Sequence, residues 1–205
     1  MALVAGGMAL NAVAVEAASS HKLNSAAIEF LIGTDEPDPR TVRVSATTLS
    51  ASDALKQALI EEEGIRYSVY TDVAGNPTIG VGHLVLPEDN LSVDEHVSHD
   101  RVMGFLTKDL KAAEAGVLTM LGDLKVYQHE FDALVDLVFN VGIGGVSEHR
   151  SPKLNAAIDA GDYTAIAAEL DYTSAGNAVA GGLVLRSERR SAIFQGGDYE
   201  NIRNA

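Results

Sequence analysis

EEEGIRYSVYTDVAGNPTIGVGH, residues 61–83, decides how this chain folds. Three glutamates and a glycine close one amphipathic segment. Two runs containing Val, Ile and Tyr follow, separated by VAGN. Val69, Tyr70 and Ile79 favour extended backbone, and Gly75 with Asn76 suits a reversal, so residues 66–83 read as short antiparallel strands joined by tight turns. Pro77 argues against a deeply paired central strand at that point, because it brings no N–H to a ladder.

Working outward, Ser50 with Asp53 suits a helix cap before ALKQALIEEE, and Gly64 is a natural stop. At 100° per residue Leu55, Ala58 and Leu59 form the apolar side, which turns Glu61 to solvent and leaves Glu62 and Glu63 on the flank. Periodicity does not choose between those two. Position favours Glu63, the last residue before the glycine, which can project from the helix end into a neighbouring cleft.

The remainder reads as mostly helical. Ser98 suits a cap before Val102, Phe105, Leu106, Leu110 and Ala113, and EFDALVDLVFNVG (130–142) is apolar enough for a buried central helix. Further helices fit 151–161, 162–170 with Asp162 as cap, and 186–194. Ahead of residue 50, HKLNSAAIEFLI (21–32) reads as a short helix and TVRVSA (41–46) as a short strand, with GTDEPDPR between them as a turn.

With 205 residues, 46% of them hydrophobic, the chain can bury a core as one domain or two closely packed lobes. It has no cysteine, which removes disulfides and thiolate chemistry. A formal charge of −14, from 29 acidic against 15 basic residues, disfavours nucleic acid and anionic membrane as broad electrostatic partners. The opening MALVAGGMALNAVAVEAASS ends in small residues like those of a secretory cleavage point. It lacks a basic leading region and carries Asn11 and Glu16. It therefore reads first as a packed arm or a contact with a larger assembly, and second as an export signal.

Two carboxylates on opposite walls of a cleft divide acid and base work when their surroundings differ. Glu63 at a helix end and Asp72 in a polar turn are such a pair, and the Thr78 hydroxyl, which both donates and accepts, can hold a water between them. By spacing alone the plainer reading prevails: a solvated helix-terminal glutamate, and an aspartate capping its own turn. His83, closing a glycine-rich strand, reads as a hydrogen-bonded core residue. His21, His96, His99, His129 and His149 read as surface or packing residues. Only His96 and His99 are spaced to share a helical face, and no metal site is expected.

The motifs EGxR (63–66), Tyr70, Asp72, Gly75, TIGxGH (78–83), FDALVxxxFNxG from 131 and GLxxR from 182, in this order and spacing, resemble the phage-type lysozymes, the muramidases of glycoside hydrolase family 24. The resemblance covers about residues 50–195. It implies an α+β fold in which a small antiparallel β-containing lobe (about 50–90) packs on a larger, mainly helical lobe (about 91–195), with a cleft between. Residues 1–49 are then an N-terminal extension and 196–205 a tail.

The activity implied is cleavage of the β-1,4 bond from N-acetylmuramic acid to N-acetylglucosamine in bacterial peptidoglycan, with inversion and without metal or organic cofactor. Glu63 matches the proton donor, Asp72 the second carboxylate and Thr78 the residue near the attacking water. An inverting pair stands about 6.5–9.5 Å apart. Asn140 matches a substrate-facing position, and Tyr172 stands where relatives commonly carry tryptophan. Arg186 matches the arginine that contacts the catalytic glutamate, and His83 with Asp109 a structural pair. Arg66 and Tyr70 read as scaffolding. The implied setting is the host's periplasmic wall, reached by release, by export or aboard a virion, with residues 1–49 as the segment for virion or membrane contact.

The chain departs from the pattern in its first 49 residues, in Ser187 where a second arginine is usual, and in its acidity. Two other classes are a virion structural or assembly protein that keeps the fold without the activity, and a sugar-binding module without hydrolysis.

Overall fold

The computed structural model describes residues 36–170, 174–175, 178–179 and 181–200. The chain divides into two compact units, Met1–Pro37 and Asp38–Ala205. The expected helix at 21–32 and the opening segment lie outside the described residues.

The second unit is α+β, with a small antiparallel sheet packed against a larger helical body. Among the described residues six helices run in chain order: α1 Asp53–Glu63, α2 His99–Leu121, α3 Gln128–Gly145, α4 Pro152–Ala160, α5 Tyr163–Ala168 and α6 Gly181–Gly196. The strands are β1 Val44–Ser45, β2 Arg66–Thr71, β3 Pro77–Gly80, β4 His83–Leu84, β5 Lys125–Val126, β6 Ser174–Ala175 and β7 Ala178–Val179.

β2, β3 and β4 form the three-stranded sheet in that order, with Tyr70 opposite Thr78 and Ile79 opposite His83. β3 is thus the middle strand, against the expectation drawn from Pro77. Pro77 is tolerated because it is the first residue of β3, opposite Thr71, where its carbonyl still accepts from Val85 N at 2.9 Å. Gly80 has φ +66°, and a Cβ there would stand 2.9 Å from Val102 Cγ1, so only glycine lets β3 approach α2 this closely.

α1 is capped by Ser52, whose Oγ accepts from Leu55 N at 3.1 Å, in place of the expected Ser50. The Ser50 carbonyl instead accepts from Gln128 Nε2 at 2.9 Å. α2 starts at His99 behind Ser98, so His96 precedes the helix and the two histidines share no helical face. Both stand beside Tyr67, whose hydroxyl lies 3.1 Å from His99 Nδ1.

The expected strand at 41–46 shortens to Val44–Ser45, paired with β5, and Ala46–Thr48 form a 3-10 turn. Residues 38–49 pack on the helical body. The Arg43 guanidinium lies 3.5 Å from the Tyr163 ring centroid and 4.6 Å from that of Tyr127, and grips Glu130 through two nitrogens at 2.6 and 2.9 Å.

Two hydrophobic cores result. Val69, Ile79, Val85, Val97, Val102 and Phe105 fill the small one, while the large one gathers Leu55, Leu59, Leu106, Leu110, Phe131, Leu134 and Leu137. α2 serves both, its first turns in the small core and the rest in the large. At about 1.5–3 kcal/mol per fully buried large side chain, the helical core dominates stability.

α3 is buried on nearly every side, yet carries three buried carboxylates. Glu130 takes Arg43. Asp132 accepts from Ser52 N at 3.1 Å and from the Tyr199 hydroxyl at 2.6 Å. Asp136 takes Arg189 and Arg190 of α6 at 3.1 and 2.8 Å. Each acid therefore ties a different distant segment to the central helix. Gly142, at φ +72°, breaks α3 one turn before its end.

Candidate active site

Glu63 ends α1, where the Gly64 N–H closes the last turn on Ile60 O at 2.9 Å. Its neighbour Glu62 turns inward, and the side chains are 24% and 5% exposed, so the ambiguity left by periodicity resolves: only Glu63 faces open space. That space is a cleft of about 630 Å³ lined by Glu63, His83, Asp109, Asn140 and Arg186, with Val81, Leu84, Leu86 and Phe139 among the apolar wall. Hollows of about 700 and 740 Å³ lie elsewhere on the surface and contain none of those five polar residues.

Arg186 organises the cleft. Its Nη2 meets Glu63 Oε1 at 2.8 Å, its Nη1 donates to Asn140 Oδ1 at 2.9 Å, and its Nε stands 3.1 Å from Glu62 Oε1. Asn140 is held in turn by its amide, which donates to Asp136 O at 2.8 Å. Glu62 also pairs with Arg189. Burial pushes the Glu62 carboxyl above the usual glutamate range; Arg189 and Arg186 pull it down, Asp136 and Glu63 push it further up, and burial prevails.

Asp72 and Thr78 lie on the β2–β3 hairpin and do not line that cleft. The Asp72 carboxylate accepts from Asn76 N at 2.7 Å and from Ala74 N at 2.9 Å, so it does cap its own turn. The Asn76 backbone bond, followed by its side chain and the Ala74 amide, holds the Asp72 carboxyl below its ordinary value and keeps it ionised at neutral pH. The Thr78 hydroxyl is buried and donates to Asn76 O at 3.2 Å, so one residue, Asn76, ties the two together.

His83 is buried between two acids, its Nδ1 2.8 Å from Asp109 Oδ2 and its Nε2 3.1 Å from Asp89 Oδ2, with its ring stacked on Phe105 at 4.3 Å. Burial alone would lower its pKa, but the bonds to Asp109 and Asp89 outweigh it and the value rises above 6.5. A histidine whose folded pKa exceeds its unfolded one contributes stability that is complete below the unfolded value and is lost as pH rises through the folded value. The denaturation midpoint is therefore expected to fall as pH is raised from about 6 to about 9, and His83→Asn to flatten that slope. Urea titrations across this range check it; equal slopes in both proteins would refute it.

Arg66 lies 4.2 Å from the Tyr70 ring centroid, on the hairpin. Tyr172 lies outside the described residues. Sequence reasoning weighed Glu62 and set it aside for Glu63, and missed Asp136, Arg189, Arg190 and Asp89. Among the described residues no group of three or more His, Asp or Glu is placed to hold a metal ion, and no helix is long and apolar enough to cross a membrane.

The family model described as "Phage lysozyme" matches residues 60–190. The endolysin of Bacillus phage B103 is 31% identical over 143 residues, covering 68% of this chain and 52% of the relative, so the chain spans about half of that protein. The endolysin of Acyrthosiphon pisum secondary endosymbiont phage 1 is 28% identical over 139 residues, covering 65% of this chain and 89% of the relative. Among solved structures, the endolysin from Escherichia coli O157:H7 phage FAHEc1 superposes with a TM-score of 0.64 at 23% identity, covering 74% of this chain and 97% of that one, a likeness of fold.

Proposed function

The chain belongs to the phage lysozyme family, and on that footing we propose that it hydrolyses the β-1,4 bond from N-acetylmuramic acid to N-acetylglucosamine in bacterial peptidoglycan, with inversion. The observation that carries the reading is Arg186 gripping Glu63 and Asn140 side by side on the wall of a cleft of about 630 Å³.

Glu63 gives its proton to the glycosidic oxygen as the bond to the anomeric carbon breaks. A water attacks that carbon from the opposite face, and the base that takes its proton is assigned to the Asp72 carboxylate, which its own turn keeps ionised and which lies on the β2–β3 hairpin, outside the residues that line the Glu63 cleft. Thr78, whose hydroxyl donates to Asn76 O, is assigned to the same end of the site through the residue it shares with Asp72. Proton exchange with solvent restores both acids. Asn140 and Tyr172 are assigned to sugar contact, Arg186 to orienting Glu63, and His83 with Asp109 to supporting the cleft wall. The domain is taken to be about residues 50–195, acting on the periplasmic wall of a host; of the extension 1–49, residues 38–49 pack on that domain, and virion or membrane contact is assigned to the residues ahead of them.

Digestion of purified peptidoglycan tests this. New N-acetylmuramic acid reducing ends, first released as the α-anomer, are the expected product. N-acetylglucosamine ends, anhydro sugars or no cleavage at all would each overturn the reading.

A further inference from the structure

Glu62 is adjacent to the proposed acid, yet it is absent from the cleft lining and its side chain is only 5% exposed. It joins a closed set of charges: Glu62, Glu63 and Asp136 against Arg186, Arg189 and Arg190. Three negative charges meet three positive ones, and Arg186 is the only member that reaches both Glu62 and Glu63. Its Nη1 donates to Asn140, while Nη2 and Nε stand within ion-pair distance of Glu63 and Glu62, so two carboxylates share the charge of one guanidinium.

We propose that Glu62 is a positioning residue for proton donation: it draws the Arg186 guanidinium by its charge and takes up part of that cation's field, which limits the positive field at Glu63. The proposal rests on the reading of Glu63 as the proton donor. Its physical basis is competition between two neighbouring carboxylates for one cation in a half-buried site, where charges couple strongly.

The groups that set the field are few. Glu62 faces Arg186 and Arg189 from α6, Asp136 from α3 and Glu63 from its own helix. His83, Lys108 and Asp109 line the cleft into which Glu63 opens. Glu61, on the same helix, is exposed and bonded to Gln57 Nε2 at 2.7 Å, out of the network.

Glu62→Gln keeps the shape and one acceptor oxygen but removes the charge. Two consequences act in one direction: the repulsion from Glu62 vanishes, and Arg186 is left wholly to Glu63. The alkaline limb of the activity profile should move toward acid by about one pH unit. KM should stay within about twofold, because Glu62 does not line the cleft.

The experiment compares pH profiles of kcat and KM on purified peptidoglycan for the native protein, Glu62→Gln and Glu63→Gln, with urea midpoints for each. The acidward limb in Glu62→Gln supports the proposal. A limb unmoved beside an inactive Glu63→Gln overturns it and leaves the donor assignment standing, whereas an active Glu63→Gln overturns the donor assignment itself. A purely structural role would lower the urea midpoint without moving the limb. Should Glu62→Gln fail to fold, side-chain carboxyl carbon NMR on the native protein decides: Glu62 and Glu63 should titrate as a coupled pair, each curve carrying the other's step. Two independent single-step curves would overturn the proposal.

Discussion

Glu63→Gln should abolish clearing of peptidoglycan, lowering the rate between about 10²- and 10⁴-fold, the range a general acid contributes. The amide has the size of the acid and still accepts a hydrogen bond from Arg186, but it has no proton to give to a glycosidic oxygen. The side chain is 24% exposed and its partner Arg186 25%, so the loss of that ion pair should change stability by no more than about 1 kcal/mol. A rate assay beside a urea titration separates the two effects. Retention of more than a tenth of the native rate by a folded variant would remove Glu63 from the mechanism.

The largest effect on folding is expected at Asp136. Its carboxylate is fully buried, and it holds Arg189 and Arg190, which are 3% and 2% exposed. Asp136→Ala leaves two buried guanidinium groups short of a counter-charge, a loss of about 3–5 kcal/mol. That is a large fraction of the roughly 5–15 kcal/mol by which domains are stable. Arg189 keeps Glu62 and Ala58 O, and Arg190 keeps Leu170 O, so the variant should fold at low temperature and melt early. An unfolding free energy within about 1 kcal/mol of the native value, by linear extrapolation of urea titrations, would show that the network contributes little.

The split between what the sequence reveals and what it hides follows the range of the interaction. Ser98, Asp162 and the 66–83 hairpin act within a few residues, and local chemistry identifies each of them. The Ser50 cap fails because Ser52 offers the same hydroxyl two residues later, and only the fold, through Gln128 and Asp132, assigns each serine its partner. The strand at 41–46 is cut short for a similar reason. Arg43 is drawn to Glu130, Tyr127 and Tyr163, which alternation cannot reveal.

In the site, Glu63 is legible because it ends a helix before a glycine. Glu62 differs from it by one residue, and its inward turn depends on two arginines more than 120 residues further on. A local signal for that network does exist. Arg186, Arg189 and Arg190 recur at the spacing of one helical face, and Asp132 and Asp136 stand one turn apart within an apolar run. Acids where a helix should be wholly apolar announce buried partners, though they do not name them.

The two cores carry a last implication. Only α2 is shared deeply between them, and the hairpin bearing Asp72 and Thr78 depends on the smaller. Its six residues make that lobe the part whose hydrogen bonds open first on warming, while the helices around α3 persist. Heat would then silence the proposed activity at temperatures where most of the helix signal is intact, so shelf life measured by helicity would overstate shelf life measured by work done on a cell wall.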